Sequence, residues 1–577
     1  MKKFILFILL IGAAVIAQED GEITGWKVTL TVGADLKVVE DVQIEKKLLS
    51  YQSLDMDGDP RILFYSPKQD LNVPQARTTR KDGKIFDSTP NAFNLSTPEP
   101  LVVHPGATGW QEMVVTFLGL EPGSTTTLHY TITDKEAFRP WFAYRFSPAC
   151  NYPVKQAVVT VRFPASLALN AQVMNGRAEE KRMADGDWVE RTFTFTNTPS
   201  FRSRTLQEAE ARLPSLYLSG LPSVQSVAAE LDKLEKALAR PDEAIQKQAA
   251  KLLEKPLSEL EKIKALHGFI RDNFAEAEWP LKESFFGIRK ASDTFASGQG
   301  TSLELALLLK ALLDSAGVKS RLILSGETPL PEKALSPAAF HKAYVFVPSL
   351  DTALDPAGKT GNSLYGKTIL EAGGSAVDTI PSRQALTLNG KLKFGEGTFE
   401  GEASLSFKGR LNPYRPNLES EEALKEAAKA AIPLPGLDVK SLRVLILSPS
   451  ETSLEVAFTF KPGKGDRVIR LLPGMKGFFP DMDTRIATSD APLPVPETDV
   501  MIQWTVDGNA RALPAPMDFH SAQGGISVRT ERGETPTVTA RIHLGGITLA
   551  PDDYPAFWTA VSSWENPTAS GLLLPEH

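Results

Sequence analysis

The first third of the chain alternates hydrophobic and polar residues in short runs. Glycine, proline, asparagine and aspartate separate six such runs, at residues 27–32, 36–44, 112–118, 125–132, 155–163 and 190–196. Side chains of a strand point alternately to its two faces, so this pattern predicts short, half-buried strands. Regularly spaced strands without helical patterns between them predict a β-sandwich-like domain over residues 18–205. The proline-rich residues 90–105 are predicted to form a loop.

The middle third changes to helical spacing after a linker-like passage at residues 199–222. Apolar residues recur three or four positions apart at 223–240, 243–254 and 256–274. Residues 302–315 are apolar on nearly every face, with only Glu304, Lys310 and Asp314 charged, which predicts a fully buried helix. Gly298 and Gly300 precede it, and Gly317 follows at the position where helices commonly end in glycine. Strands at 318–324 and 342–347, then irregular chain at 356–377, complete a predicted α+β core over residues 222–380.

Strand patterns return over residues 385–577 and predict a β-rich C-terminal region. The candidate strands are 398–408, 443–447, 453–460, 500–506, 525–530 and 536–544. Helices are predicted at 421–431, with Ser420 as N-cap, and at 552–564. Residues 480–496 carry several prolines and are predicted to loop over the surface. A chain of 577 residues exceeds a single hydrophobic core, so the predicted fold class is multidomain α+β.

The first 17 residues have the pattern of a secretory signal peptide. Lys2 and Lys3 precede an apolar run over residues 4–16, and Val15 and Ala17 place small residues at the −3 and −1 positions of a cleavage site. Gln18 is then the expected mature N-terminus, and no cysteine follows to carry a lipid. The run is short for a membrane span. We therefore expect a soluble periplasmic or secreted protein without a transmembrane segment.

Composition narrows the classes of function. A net charge of −7 without a basic block argues against a nucleic-acid partner. The single cysteine, Cys150, allows no internal disulfide and has no histidine nearby in sequence, so the favoured interpretation is a buried, unreactive thiol. Acidic residues at 55–59 suggest a calcium loop, but the glycine and closing glutamate of an EF-hand are missing, and a solvated turn is favoured. We expect no metal and no cofactor.

Three residues of the middle third form a candidate catalytic set. Ser302 opens the apolar helix, His341 immediately precedes a predicted strand, and Asp355 follows after a hairpin-length interval. A nucleophile, a base and an orienting acid in this order on a helix start and two extended segments is the arrangement of papain-like chemistry. The free N–H groups and dipole of a helix N-terminus stabilise an anion there.

These segments together resemble the transglutaminase-like superfamily. The resemblance rests on residues 300–306 (GTSLELA), 316–318 (AGV), 340–341 (FH) and 354–356 (LDP) in that order. The whole layout is similar to secreted bacterial proteins that place a β-rich domain of unknown function before such a core. The resemblance implies a papain-like fold and maps the family's histidine and aspartate onto His341 and Asp355.

The chain departs from the family pattern at the nucleophile. Ser302 stands where the family carries its cysteine, and Thr301 stands where the family often has aspartate. A helix start and a histidinium convert a thiol to thiolate far more easily than they ionise a hydroxyl. A structural interpretation also fits, because Thr301 and Glu304 form a capping-box pattern. On that interpretation His341 is a hydrogen-bonded core residue and Asp355 initiates a turn.

Three functional hypotheses follow. The favoured one is an exported pseudoenzyme, whose degenerate core binds a peptide, glycan or protein partner without catalysis. The second is an active serine-dependent amidase or acyl transferase that uses Ser302, His341 and Asp355. The third is an architectural protein of the cell envelope with a closed cleft. The mutual geometry of the three side chains is what separates these hypotheses.

Overall fold

The computed structural model of the protein describes most of the chain. The described residues are 20–104, 109–201, 213–327, 329–350, 352–358, 364, 367–380, 383–394, 399–414, 421–448, 450–462, 468–479, 493–507, 512–521, 524–566 and 570–574. The predicted signal peptide lies outside them. Within them, no helix has the length and apolar character needed to cross a membrane.

The alternating pattern of the first third produces a large sheet and two smaller ones, here called the N-terminal region. Its strands are β1 (Gly21–Val32), β2 (Val38–Leu48), β3 (Arg61–Tyr65), β4 (Gln69–Thr79), β5 (Ile85–Asp87), β6 (Phe93–Ser96), β7 (Trp110–Val115), β8 (Ser124–Asp134), β9 (Ala143–Phe146), β10 (Val154–Pro164), β11 (Asn170–Met174), β12 (Glu179–Asp185), β13 (Trp188–Thr198) and β14 (Ser215–Ser219). The sheet orders are β12-β13-β10-β1-β2-β8-β4-β5, β11-β14-β9 and β3-β7-β6. All six predicted strands are confirmed. The strands β1 and β10 pair in parallel, so the first strand of the chain links the strands β2, β8, β4 and β5 to the later strands β10, β13 and β12.

Two apolar clusters hold these sheets together. Leu30, Val159 and Phe193 of the large sheet pack with Leu216 and Leu218 of β14. A separate cluster joins β3 and β7 to the other end of the large sheet. Because β14 is fully buried in this way, the passage predicted as a linker contains a core strand.

Two other predictions for this region are wrong. The proline-rich loop contains β6 and a short helix, α2 (Glu99–Val102), because Pro100 falls in the first turn of that helix, where proline is tolerated. Of the acidic residues predicted to form a solvated turn, Asp55 and Asp57 instead end a helix, α1 (Tyr51–Asp57), that Ser50 caps, and Asp59 lies in the exposed bend after it. The Asp57 carboxylate accepts a hydrogen bond from the Tyr152 hydroxyl at 2.6 Å, so this end of the helix is tied to the sheet.

The middle third forms a helical layer against a five-stranded antiparallel sheet, here called the core region. Its helices are α3 (Val224–Leu238), α4 (Glu243–Leu252), α5 (Glu259–Asn273), α6 (Leu281–Ser284), α7 (Ala291–Ser297) and α8 (Ser302–Ser315). Its strands are β15 (Ala275–Ala277), β16 (Gln299–Thr301), β17 (Arg321–Glu327), β18 (Lys342–Val347), β19 (Thr352–Leu354), β20 (Lys367–Glu371) and β21 (Val377–Thr379). The sheet order is β19-β18-β17-β20-β21, and β15 and β16 form a separate parallel pair.

Helix α8 is the buried helix that the hydrophobic pattern predicted. Residues 302–313 are all buried, and the apolar ones among them share one cluster with α3, α4, α5 and the inner face of β18. The helix ends in a Schellman motif, in which Gly317 has φ +72° and donates to the Asp314 carbonyl, while Val318 N–H reaches the Leu313 carbonyl. This motif occupies residues that the sequence assigned to a strand, so β17 begins only at Arg321. The irregular segment predicted after residue 356 also contains β20, which pairs with β17.

The C-terminal region contains a second eight-stranded sheet. Its strands are β22 (Arg383–Phe394), β23 (Phe399–Gly409), β24 (Asp438–Leu447), β25 (Glu451–Phe460), β26 (Val468–Arg470), β27 (Leu493–Val495), β28 (Glu497–Asp507), β29 (Met517–Ser521), β30 (Gly524–Glu531), β31 (Thr537–Leu544), β32 (Ile547–Leu549) and β33 (Gly571–Leu573). Its helices are α9 (Glu421–Ala431), α10 (Met475–Phe478) and α11 (Tyr554–Glu565). The order β24-β25-β23-β22-β28-β31-β30-β29 contains one parallel pair, β22 with β28.

The predicted elements of the C-terminal region are confirmed, with one exception. The proposed N-cap Ser420 and residues 480–492 of the predicted loop lie outside the described residues, but the end of that loop forms β27. Trp504 and Trp564 are fully buried in the core. Their indole N–H groups donate to the Leu471 and Pro473 carbonyls at 3.0 and 2.9 Å, so both large side chains are satisfied.

Candidate functional site

The candidate site is organised by the start of α8. Thr301 is the N-cap, its hydroxyl accepts from the Glu304 N–H at 3.4 Å, and its own N–H donates to Glu304 Oε2 at 3.1 Å. The capping box predicted from the sequence is therefore present. Ser302 is the first helical residue and is buried, with 6% of its surface exposed. Its place at a helix N-terminus favours an anion there.

Glu304 is anchored from a second side by Arg289. The guanidinium donates to both carboxylate oxygens, at 2.9 and 2.8 Å, and the Arg289 backbone N–H adds a bond of 3.1 Å. The same guanidinium donates to the Gln299 carbonyl at 2.7 Å. Gly300 fits between these groups because a Cβ there would lie 2.9 Å from Thr294 Cγ2. These contacts fix the turn into α8 without using Ser302.

A strand pair and an ion pair connect this turn to the start of β18. Strand β15 pairs in parallel with β16, which sets Glu276 opposite Gly300. The Glu276 carboxylate, which is nine-tenths buried, lies 3.6 Å from Lys342 Nζ. Lys342 is the residue after His341 and opens β18. The beginnings of α8 and β18 therefore lie in the same part of the core region.

Asp355 completes this cluster. Lys342 Nζ donates to Asp355 Oδ2 at 2.9 Å, and the Ala357 N–H donates to Oδ1 at 3.2 Å. The Asp355 side chain is only 3% exposed. Burial opposes the charged form of Lys342, but the carboxylates of Asp355 and Glu276 outweigh it and raise the pKa of the ammonium above its usual value. Lys342 is thus a stable cation between two buried carboxylates.

His267 is a further member of the site that the sequence did not reveal. It lies on α5, is buried, and its Nε2 is 2.5 Å from the Asp355 carbonyl. A carbonyl only accepts, so Nε2 is the donor. The same carbonyl accepts from the Gly358 N–H at 2.9 Å. Asp355 is therefore held through its backbone by a helix and through its carboxylate by a strand.

The three residues predicted as a catalytic set lie on elements that converge. Ser302 begins α8, His341 precedes β18 and donates its N–H to the Ser325 carbonyl, and Asp355 directly follows β19. Sequence reasoning missed Lys342, Glu276 and His267. Lys342 could have been found from its place beside His341. The other two come from β15 and α5, whose approach to Asp355 no local pattern encodes.

The remaining chemistry of the described residues is limited. They contain no group of three or more histidine, cysteine, aspartate or glutamate side chains able to hold a metal ion. Cys150 is half-buried in the N-terminal region, where its thiol donates to the Tyr152 carbonyl at 3.3 Å. Burial raises the pKa of this thiol, which disfavours the reactive thiolate.

Comparison with solved structures places this architecture beside one protein over nearly its whole length. That protein is described as a candidate protease from Parabacteroides distasonis; it is 20% identical, with a TM-score of 0.67, and the match covers 96% of this chain and 99% of that one. A candidate cysteine protease from Cytophaga hutchinsonii matches at 14% identity over 41% of this chain and 84% of that one, with a TM-score of 0.19, too low to support an argument. The first likeness shows a shared multidomain fold.

One region also matches a protein family. Residues 34–202 match the model of DUF3857, a domain of unknown function with a solved structure. The match covers most of the N-terminal region and ends before the core region. The search of curated proteins found no match.

Proposed function

We propose that this protein is an exported, non-catalytic relative of the transglutaminase-like enzymes, and that its core region binds a polypeptide. The observation that carries the proposal is the bond between Lys342 and Asp355 at 2.9 Å. In a working triad the acid stabilises the imidazolium that forms when the histidine takes a proton. Here the Lys342 ammonium, which Asp355 shares with Glu276, offsets part of the charge of that carboxylate and so weakens its support for an imidazolium at His341.

The type of residue at the nucleophile position also supports a loss of catalytic turnover. By resemblance, Ser302 occupies the place of the family's cysteine, and a hydroxyl needs concerted removal of its proton by a strong base. The capping and anchoring contacts of Thr301, Glu304 and Arg289 are all internal to the turn. They preserve the shape of the site whether or not Ser302 reacts.

A polypeptide is the proposed ligand because the fold is shared with a candidate protease. We expect the surface beside the starts of α8 and β18 to receive an extended chain. A glycan ligand is the alternative outcome of a binding experiment. The ligand should be bound in the extracytoplasmic space, since the sequence predicts a signal peptide over residues 1–17.

The first experiment uses an engineered thiol as a reporter. In a Cys150→Ala background, Ser302→Cys places the only thiol at the N-terminus of α8. If the cleft keeps the family's geometry, this thiol should react with iodoacetamide at pH 6 faster than a model thiol, and His341→Ala should reduce the advantage. Ser315→Cys is the matched control, because it puts a thiol at the opposite end of the same helix. Equal rates at both positions would mean that the cleft has decayed and would favour an architectural role.

The second experiment separates binding from catalysis. Wild-type protein should not label with a fluorophosphonate, and it should not hydrolyse peptide amides above the Ser302→Ala background. Fluorescent pentapeptide libraries should bind wild type and bind Ser302→Leu more weakly, since the larger side chain fills the position. Rapid fluorophosphonate labelling that disappears in Ser302→Ala would overturn the proposal in favour of a serine-dependent amidase or acyl transferase.

Export has its own test. N-terminal sequencing of the protein purified from its native host should begin at Gln18. A product that retains Met1 and sediments with membranes would show that the apolar segment is an anchor.

A further inference from the structure

The N-terminal and core regions meet beside the candidate site through an aromatic cluster. Leu101 and Trp110 of the N-terminal region pack against Ala277 and Trp279, which follow Glu276 along the chain. The rings of Trp110 and Trp279 have centroids 5.6 Å apart, and Phe286 packs edge-on against Trp110 at 5.4 Å. This contact covers the chain next to the β15–β16 pair that leads into Ser302.

One polar contact crosses the same junction. His104, which follows α2, has its Nδ1 3.1 Å from Oε1 of Gln299, the first residue of β16. With the amide oxygen as acceptor, Nδ1 carries the proton and Nε2 keeps its lone pair. An imidazole held through Nδ1 by an amide oxygen is oriented to accept a proton at Nε2, as a histidine is when a carboxylate or amide orients it in a catalytic site.

The position of Gln299 puts this imidazole close to the start of α8. Two residues separate Gln299 from Ser302, so their Cα atoms lie at most about 11 Å apart, three steps along the chain, even when it is fully extended. Gln299 is itself fixed, because its carbonyl accepts from Arg289 at 2.7 Å and from the Ser297 hydroxyl at 3.0 Å. The N-terminal region therefore brings a half-buried imidazole to a rigid part of the site.

We infer that the candidate site is shared between the two regions and that His104 is one of its residues, a second imidazole whose Nε2 faces bound ligand as a proton acceptor. The inference rests on the proposed function only for the location of the site, and it holds whether or not the site turns over. It gives the region matching DUF3857 a direct part in ligand binding. Gln299 orients the His104 imidazole.

The test measures the electrostatic effect of a charge at position 302 on each imidazole. The chain has seven histidines, so ¹³C-labelled imidazoles can be resolved by NMR and assigned with His→Gln variants. Ser302→Cys in the Cys150→Ala background is modified either with iodoacetate, which adds a carboxylate, or with iodoacetamide, which adds a neutral group of similar size. Iodoacetate should raise the midpoint of the His104 titration by roughly 0.5–1 pH unit relative to iodoacetamide at low salt.

His129 is the internal control, because it lies on β8 and pairs with Asp41 within the N-terminal region. Its midpoint should be the same for both adducts. A His104 midpoint that moves no more than that of His129 would overturn the inference, even if the Ser302→Cys thiol is reactive as the proposed function requires. A second measurement compares iodoacetamide rates, which should fall several-fold on adding His104→Gln and stay unchanged on adding His129→Gln.

Discussion

Replacing the Arg289 side chain should lower the stability of α8 by an amount that its contacts predict. Glu304 is 4% exposed, and its carboxylate accepts two bonds from the guanidinium and two from backbone N–H groups. Arg289→Met leaves a buried carboxylate without its counter-charge. Breaking one side of a buried ion pair costs about 3–5 kcal/mol. Adding Glu304→Gln to Arg289→Met removes the uncompensated charge. The double variant should therefore be destabilised by only about 1–2 kcal/mol.

Hydrogen exchange of the α8 amides is the suitable assay, because a multidomain chain has no single unfolding transition. At 1.36 kcal/mol per tenfold change, 3 kcal/mol corresponds to exchange about two orders of magnitude faster. Arg271→Met is the matched control, because Arg271 pairs with Asp272 on the surface, where such pairs contribute about 0–1 kcal/mol. A double variant as destabilised as the sum of the single variants would refute the buried-charge argument.

Three further predictions concern other groups. Cys150→Ala should lower the free energy of unfolding by about 1–2 kcal/mol at most and leave peptide binding unchanged. Loss of binding in this variant would show that binding depends on the N-terminal region and not on the core region. Glu235 accepts the Leu322 N–H at 2.6 Å, and burial raises its pKa. Its ionised form therefore destabilises the folded state, and the local stability should recover as the pH falls from 7 through that pKa. Hydrogen exchange of the α3 amides, corrected for the intrinsic effect of pH on exchange, should show this dependence and lose it in Glu235→Gln, and an unchanged profile would contradict the prediction. His267→Phe should speed hydrogen exchange around Asp355, whereas His267→Gln should restore protection if the lost donor is the cause.

Local patterns predicted much of this fold because the decisive forces there are local. The buried helix follows from residues 302–315 alone, since a segment apolar on every face can only be covered by other elements. Its capping box and its C-terminal glycine could also be predicted from the sequence, because each depends on residues a few positions apart. Period-two alternation marked the long strands of both large sheets for the same reason.

The predictions that failed depended on partners distant in sequence. Strand β14 was hidden in a passage that looked like a linker, because its strand character comes from pairing with β9 and β11. Strand β20 lies in a glycine-rich segment without a clear strand pattern, and it forms because it pairs with the edge of β17. At the site, Ser302, His341 and Asp355 were marked by order along the chain. His267 became visible only through its contact with Asp355, whereas Lys342 already stood next to His341 in the sequence.

The single parallel pair in each large sheet bears on how the chain folds. In the C-terminal sheet, β22 lies beside β28, and the paired residues Arg383 and Glu497 are 114 positions apart. Closing so long a loop costs entropy before any contact repays it, which makes such sheets slow to complete. Until β28 arrives, β22 presents an open edge to any neighbouring chain. A nascent copy that stalls before residue 507 would therefore be prone to aggregation, so completion of this sheet should depend on chaperones more than the helical layer does.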